Sequence, residues 1–259
     1  MTDLEREYSP SSRVGGDSGP FVAEYEARSA AALGALGERV SRVDGGSVVV
    51  RSNGSNPLLV FIHGGYWQAL SAASSLYLAP GALGQGWSFA SVEYTLAPDA
   101  TLTEMVRECR NALTAISSVL TPSHVVLAGH SAGAHLAAMS SLAAVAPLPI
   151  ARTVLLSGVF DLRPLVHTSV NDPLGLDTSA AAAVSPRLLP VVGRNEVVVA
   201  WGDNDTDAFK DQSRSYAAHL AGAGLQVTSL ECAGRHHFDI VDDLVDPTTE
   251  LGRHTLGLG

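Results

Sequence analysis

Short apolar runs bounded by turn residues recur along this chain. They are Val48–Val50, Leu58–Ile62, Phe89–Tyr94, Val125–Ala128, Thr153–Ser157, Val197–Trp201 and Gln226–Glu231. Most are rich in β-branched residues and too short for a stable helix, so they read as strands. The segment 53–57, Asn-Gly-Ser-Asn-Pro, is turn chemistry between two of them. Elsewhere the apolar period lengthens to that of a helix. Over 21–39 it runs through Val22, Tyr25, Ala32, Leu33 and Leu36, with polar Ser29 interrupting the stripe. Over 103–120 it runs through Met105, Ala112, Leu113 and Ile116. Further helices are predicted after Gly133, over 208–222 with closure at Gly222 and Gly224, and over 239–256 with a break near Pro247. Strands alternating with helices predict an α/β fold, with a mostly parallel central sheet covered on both faces. Two segments break the alternation. Residues 1–20 read as an irregular polar arm, and 160–192 as a small lid excursion over the carboxyl edge of the sheet, with an ordinary surface loop as the alternative.

Composition narrows this picture only slightly. The 259 residues, 46% hydrophobic, suffice for one sizeable core, so 1–259 is expected to be a single domain. A net charge of −10 with no basic patch argues against nucleic acid and anionic membrane as partners. Cys109 and Cys232 have neither metal spacing nor a disulfide framework. With a charged first segment and no long apolar run, a cytoplasmic protein is expected. Cys109 sits in a helical pattern and reads as core.

The chemistry is concentrated at Gly129-His130-Ser131-Ala132-Gly133. A strand precedes it and a helix-forming run follows, the context of a G-x-S-x-G nucleophile elbow. Ser131 would then sit at a helix N-terminus, with the Ala132 amide facing developing negative charge. A serine nucleophile needs a base and an acid to orient that base, here expected in the order Ser, acid, His. Asp205, in the loop after Trp201, has the spacing for the acid; Asp207 reads as a helix cap and Asp203 as a turn residue. His237 is the candidate base, with His236 its rival. After the strand 58–62, His63-Gly64-Gly65-Tyr66-Trp67 offers amides unobstructed by side chains, which with Ala132 could bind an oxyanion. His63 is expected to brace that loop.

Together these residues resemble the kynurenine formamidase (arylformamidase) family of α/β-hydrolase-fold serine hydrolases. The resemblance is carried by H-G-G-x-W at 63–67, by 129–133 and by His237-Phe238. It continues through 94–98, 158–164, 171–176 and Ser185-Pro186, and so covers most of the chain. It implies Ser131, Asp205 and His237 as the triad and Gly64, Gly65, Tyr66 and Ala132 as oxyanion donors. The implied reaction is hydrolysis of N-formyl-L-kynurenine, with no cofactor and no metal. Tyr66, Trp67 and Phe238 are the candidate substrate-binding residues, because bulky side chains there would narrow an acyl pocket; both Tyr66 and Trp67 could instead simply pack. Arg163, Arg187 and Glu93 are candidates for the substrate's amino-acid end, with surface ion pairing as the alternative. The expected partner is a small molecule, and a homodimer is compatible with the chain.

The same triad would serve a short-acyl carboxylesterase. His236, His237 and Asp239 loosely suggest a metal-dependent amidohydrolase, but no H-x-E or H-x-x-x-D spacing accompanies them. A non-catalytic binding protein of this fold is the remaining class.

Overall fold

A computed structural model describes residues 2–52, 56–144 and 146–258. The predicted turn at 53–57 lies partly on 53–55, outside the described residues. The strands are β1 (Val40–Arg42), β2 (Val48–Val50), β3 (Leu58–Ile62), β4 (Ser88–Val92), β5 (Val125–His130), β6 (Ile150–Leu156), β7 (Glu196–Gly202) and β8 (Val227–Cys232). They form one eight-stranded sheet among the described residues, in the order β1-β2-β4-β3-β5-β6-β7-β8. The two pairings β1–β2 and β2–β4 are antiparallel and the rest are parallel. Every predicted strand is present. The three-residue β1 was not predicted, because so short a run shows no period.

The helices are α1 (Asp3–Glu7), α2 (Gly19–Leu36), α3 (Ala79–Gly84), α4 (Leu102–Val119), α5 (Ala132–Ser141), α6 (Thr178–Ala183), α7 (Asp207–Gly222) and α8 (Glu250–Leu256). Alternation along β3 explains the layers. Leu58, Val60 and Ile62 pack with Met105 and Leu113 of α4 and Leu136 of α5. Leu59 and Phe61 point the other way, with Leu36 of α2, Ala82 of α3 and Leu251 of α8. Both faces are therefore buried, and each fully buried Leu or Ile contributes roughly 1.5–3 kcal/mol.

Several local expectations gain a physical reason or a correction. Ser29, the polar gap in the α2 stripe, donates to the Ser74 carbonyl at 2.8 Å and accepts from the Tyr77 amide at 3.2 Å, so its burial is satisfied. A capping box of Thr101 and Glu104 starts α4. The expected helix over 239–256 is a 3-10 turn at Ile240–Val245 and then α8, separated by the loop holding Pro247. Asp207 is the first residue of α7 rather than its cap; Thr206 stands at the cap position. The arm is not irregular throughout. Thr2 caps α1, accepting from the Glu5 amide at 3.1 Å, and a 3-10 turn follows at Pro10–Arg13. Five residues cannot hold a helix alone. Tertiary contacts do so: the Glu7 carbonyl accepts from Thr206 Oγ1 at 2.6 Å, and its carboxylate accepts from the Ala208 amide at 3.1 Å, capping α7 from outside. Among the described residues no helix is long and apolar enough to cross a membrane.

Candidate active site

The topology gathers the candidate residues at one sheet edge. β3 lies beside β5, with Ile62 paired to Gly129, so the loop after β3 and the turn after β5 emerge side by side. β6, β7 and β8 follow in order, and their carboxyl ends lead to Ser157, Asp205 and His237. This is where α/β sheets bind their ligands.

Ser131 has φ 55° and ψ −119°, a left-handed conformation that a side chain adopts only under strain. Close packing enforces it. A Cβ on Gly133 would lie 2.0 Å from the Ile62 carbonyl oxygen, and one on Gly129 would lie 2.2 Å from that of Gly133. Only glycines let the helix press so closely on the strands. Ser131 stands at the N-cap of α5 but its hydroxyl does not cap the helix. It lines a cavity of about 300 Å³ that also receives His237, Phe238, Tyr66 and Gly65.

His237 and Asp205 are both buried, and His237 Nδ1 meets Asp205 Oδ1 at 3.0 Å. Asp205 Oδ2 accepts from Ser157 Oγ at 2.6 Å and from the Gly202 amide at 3.2 Å. Burial pushes the Asp205 carboxyl up, but the attraction of His237 and the hydrogen bonds from His237, Ser157 and Gly202 outweigh it, and the net shift is downward. The carboxylate is thus held ionised against the imidazole. Among the described residues no hydrogen bond joins Ser131 to His237; such contacts are often long before substrate binds. The rivals go elsewhere. His236 Nδ1 accepts from the Phe238 amide at 3.1 Å, Asp203 accepts from the Gly234 amide at 2.9 Å, and Asp207 pairs with Arg13 at 3.6 Å. Among the described residues no group of three or more His, Cys, Asp or Glu is arranged to hold a metal ion.

Two further residues act on this arrangement without having been singled out for it. Ser157, at the end of β6 with φ 45°, was read only as a strand residue; a polar side chain at the end of the strand next to the acid's own is the signal that points to it. His130 is buried, and its Nε2 meets the His237 carbonyl at 2.8 Å. Burial pushes its pKa down to about 3, so the neutral ring donates that bond and pins the loop carrying His237.

A Cβ on Gly64 would come within 3.2 Å of Ser131 Cβ, which places the H-G-G loop against Ser131. The amides of Gly64, Gly65 and Tyr66 enter no backbone hydrogen bond among the described residues, and that of Ala132 is a first-turn amide without a helical partner. His63 braces the loop: its Nδ1 lies 2.9 Å from the Gly64 carbonyl and its ring stacks on Tyr94 at 4.3 Å. Tyr66 lines the cavity and donates to the Tyr8 carbonyl at 2.5 Å. Phe238 also lines it, stacked on Phe21 at 4.7 Å. Trp67 is fully buried, edge-on to His135 at 5.2 Å, and is not among the lining residues.

The residues named for an amino-acid end lie outside the cavity. Arg163 is paired with Asp161 at 2.6 Å, Arg187 donates to Ser215 Oγ at 2.9 Å, and Glu93 accepts from the Ala72 amide at 3.1 Å. The cavity is lined instead by residues of the arm and by Ser169 and Val170 of the 160–192 excursion.

Comparison with known proteins bears on the fold and family. Residues 59–239 match a family described as alpha/beta hydrolase fold. The chain is 37% identical to a kynurenine formamidase of Salmo salar over 204 residues, 73% of this chain and 68% of that protein. It is 30% identical to a kynurenine formamidase of Drosophila melanogaster over 213 residues, 76% of this chain and 71% of that one. Among solved structures, a candidate thioesterase of Silicibacter sp. superposes with a TM-score of 0.86 at 30% identity, covering 97% of this chain and 98% of its own. An esterase of Pyrobaculum calidifontis, at 20% identity and a TM-score of 0.70, covers 98% and 94% and shares the fold.

Proposed function

Because the chain belongs to the kynurenine formamidase family of α/β-hydrolase-fold hydrolases, we propose that it hydrolyses the aryl formamide N-formyl-L-kynurenine to L-kynurenine and formate. Ser131 Oγ attacks the formyl carbon as His237 takes its proton. The oxyanion settles among the amides of Gly64, Gly65, Tyr66 and Ala132. The imidazolium, stabilised by Asp205, then protonates the departing aryl nitrogen. Water activated by His237 clears the formyl-enzyme. An anilide nitrogen shares its lone pair with the ring and leaves more readily than an alkyl amine, and a formyl group needs almost no acyl pocket. The cavity, about 300 Å³, has room for a one-ring substrate.

The observation that carries this reading is the buried Asp205–His237 hydrogen bond opening onto the cavity that Ser131 lines. The test is kynurenine absorbance on mixing purified protein with N-formyl-L-kynurenine, with Ser131→Ala as control. Product from the wild type and none from the variant is expected. A second reading, hydrolysis of short-acyl esters or thioesters, draws on the likeness to the candidate thioesterase. A kcat/KM higher on such esters than on the formamide would favour it.

A further inference from the structure

The cavity lined by Ser131 carries a charge that the proposed chemistry does not use. Glu5, on α1, is the one carboxylate among the described residues lining the cavity, and none of them is a Lys or Arg. It is locked in place by Ser169, which also lines the cavity. Its two oxygens accept from the Ser169 hydroxyl and, at 3.0 Å, from the Ser169 amide. These bonds hold its pKa below the usual carboxylate value. Both donors are neutral, so they fix the carboxylate without cancelling its charge. Of the neighbouring carboxylates, Asp161 is neutralised by Arg163, and Glu7 caps α7 and does not line the cavity.

We propose that Glu5 is a specificity residue that binds a primary ammonium group on the substrate, namely the α-ammonium of N-formyl-L-kynurenine; this rests on the formamidase reading above. The formamide and the amino-acid side chain are neighbouring substituents on one ring, so a molecule with its formyl carbon at Ser131 keeps its ammonium within the same cavity, which Glu5 also lines. The α-carboxylate then meets neutral donors, since Ser9, Ser11 and Ser18 line the same arm-side wall. An ammonium placed on a fixed carboxylate at a partly open site should improve binding about tenfold over a neutral group. L-Kynurenine keeps the same amino-acid end and should bind through it.

The test measures inhibition of p-nitrophenyl acetate hydrolysis by L-kynurenine and by its analogue lacking the α-amino group. For the wild type, L-kynurenine is expected to inhibit about tenfold more strongly than the analogue. Glu5→Gln should abolish that preference and Glu5→Asp should restore part of it. Glu24→Gln, exposed on α2 and paired with Arg28 at 3.6 Å, should leave it unchanged. Glu5→Gln should also raise KM for N-formyl-L-kynurenine more than it lowers kcat. No preference in the wild type, a preference that survives Glu5→Gln, or an equal loss for both inhibitors would overturn the assignment. Wild-type protein that does not hydrolyse N-formyl-L-kynurenine would overturn the formamidase reading instead, while the inhibitor pair would still judge Glu5.

Discussion

Ser131 and Glu5 face one cavity, yet the chain positions them by different means. Ser131 is set by neighbours: a strand directly before it, a helix directly after it, and two glycines within two residues on either side. Glu5 is set by partners far along the chain, Ser169 for itself and Thr206, Ala208 and Gln212 for the residues around it. The first kind of placement is local, and in the proposed reaction it carries the bond-breaking step. The second is a patchwork of bonds between distant residues, and on the Glu5 proposal it decides which molecule reaches that step.

The contrast can be broken by substitution. Ser131→Ala should lower kcat/KM on the order of 10⁴-fold or more on every substrate, formamide or ester, with the urea midpoint unchanged. Asp205→Asn should cost on the order of 10²- to 10⁴-fold, again on all substrates alike, because the tautomer and orientation of His237 are lost. A variant of the arm that reduced formamide and ester turnover equally would show that wall and edge are one unit.

Stability sharpens the same contrast. Burial pushes His130 down to about 3 and His135 to about 4. Both stay neutral in the fold and take protons in the unfolded chain below about pH 6.5. The unfolded chain then binds more protons, so stability falls as pH drops from about 6.5 towards 5, by up to roughly 2–3 kcal/mol per unit for the pair. Urea midpoints across that range measure the slope, and His135→Gln should remove about half of it. Gln212 ties the wall together. Its Oε1 accepts from the Phe160 and Asp161 amides, both at 2.9 Å, and its Nε2 donates to Tyr8 Oη at 2.9 Å. Gln212→Leu should destabilise by about 2–3 kcal/mol, leaving buried amides unpaired. It should also alter KM for the formamide while ester kcat changes little.

The legible parts were those whose signal is local. The inner strands show in apolar runs because both faces of the sheet are buried there, whereas β8 is only partly buried; the elbow shows because its glycines are compulsory. The H-G-G loop shows for the same reason. The arm, the turns through 73–84 and the role of Ser157 depend on residues tens to hundreds of positions away, and no short-range period encodes them. Trp67 illustrates the reverse error. An aromatic beside an oxyanion loop suggests a pocket wall, but its positive φ of 62° turns the ring into the core.

The arm's docking also bears on the timing of synthesis. Residues 5–8 leave the ribosome early, but their anchors at 169 and 206–212 are made near the end. The elbow at 131 can therefore take shape while the pocket in front of it still lacks a wall. His237, the proposed base, is made later still, so the arm can meet its anchors before the site has the means to react, and no stretch of synthesis need pass with an active but unselective pocket.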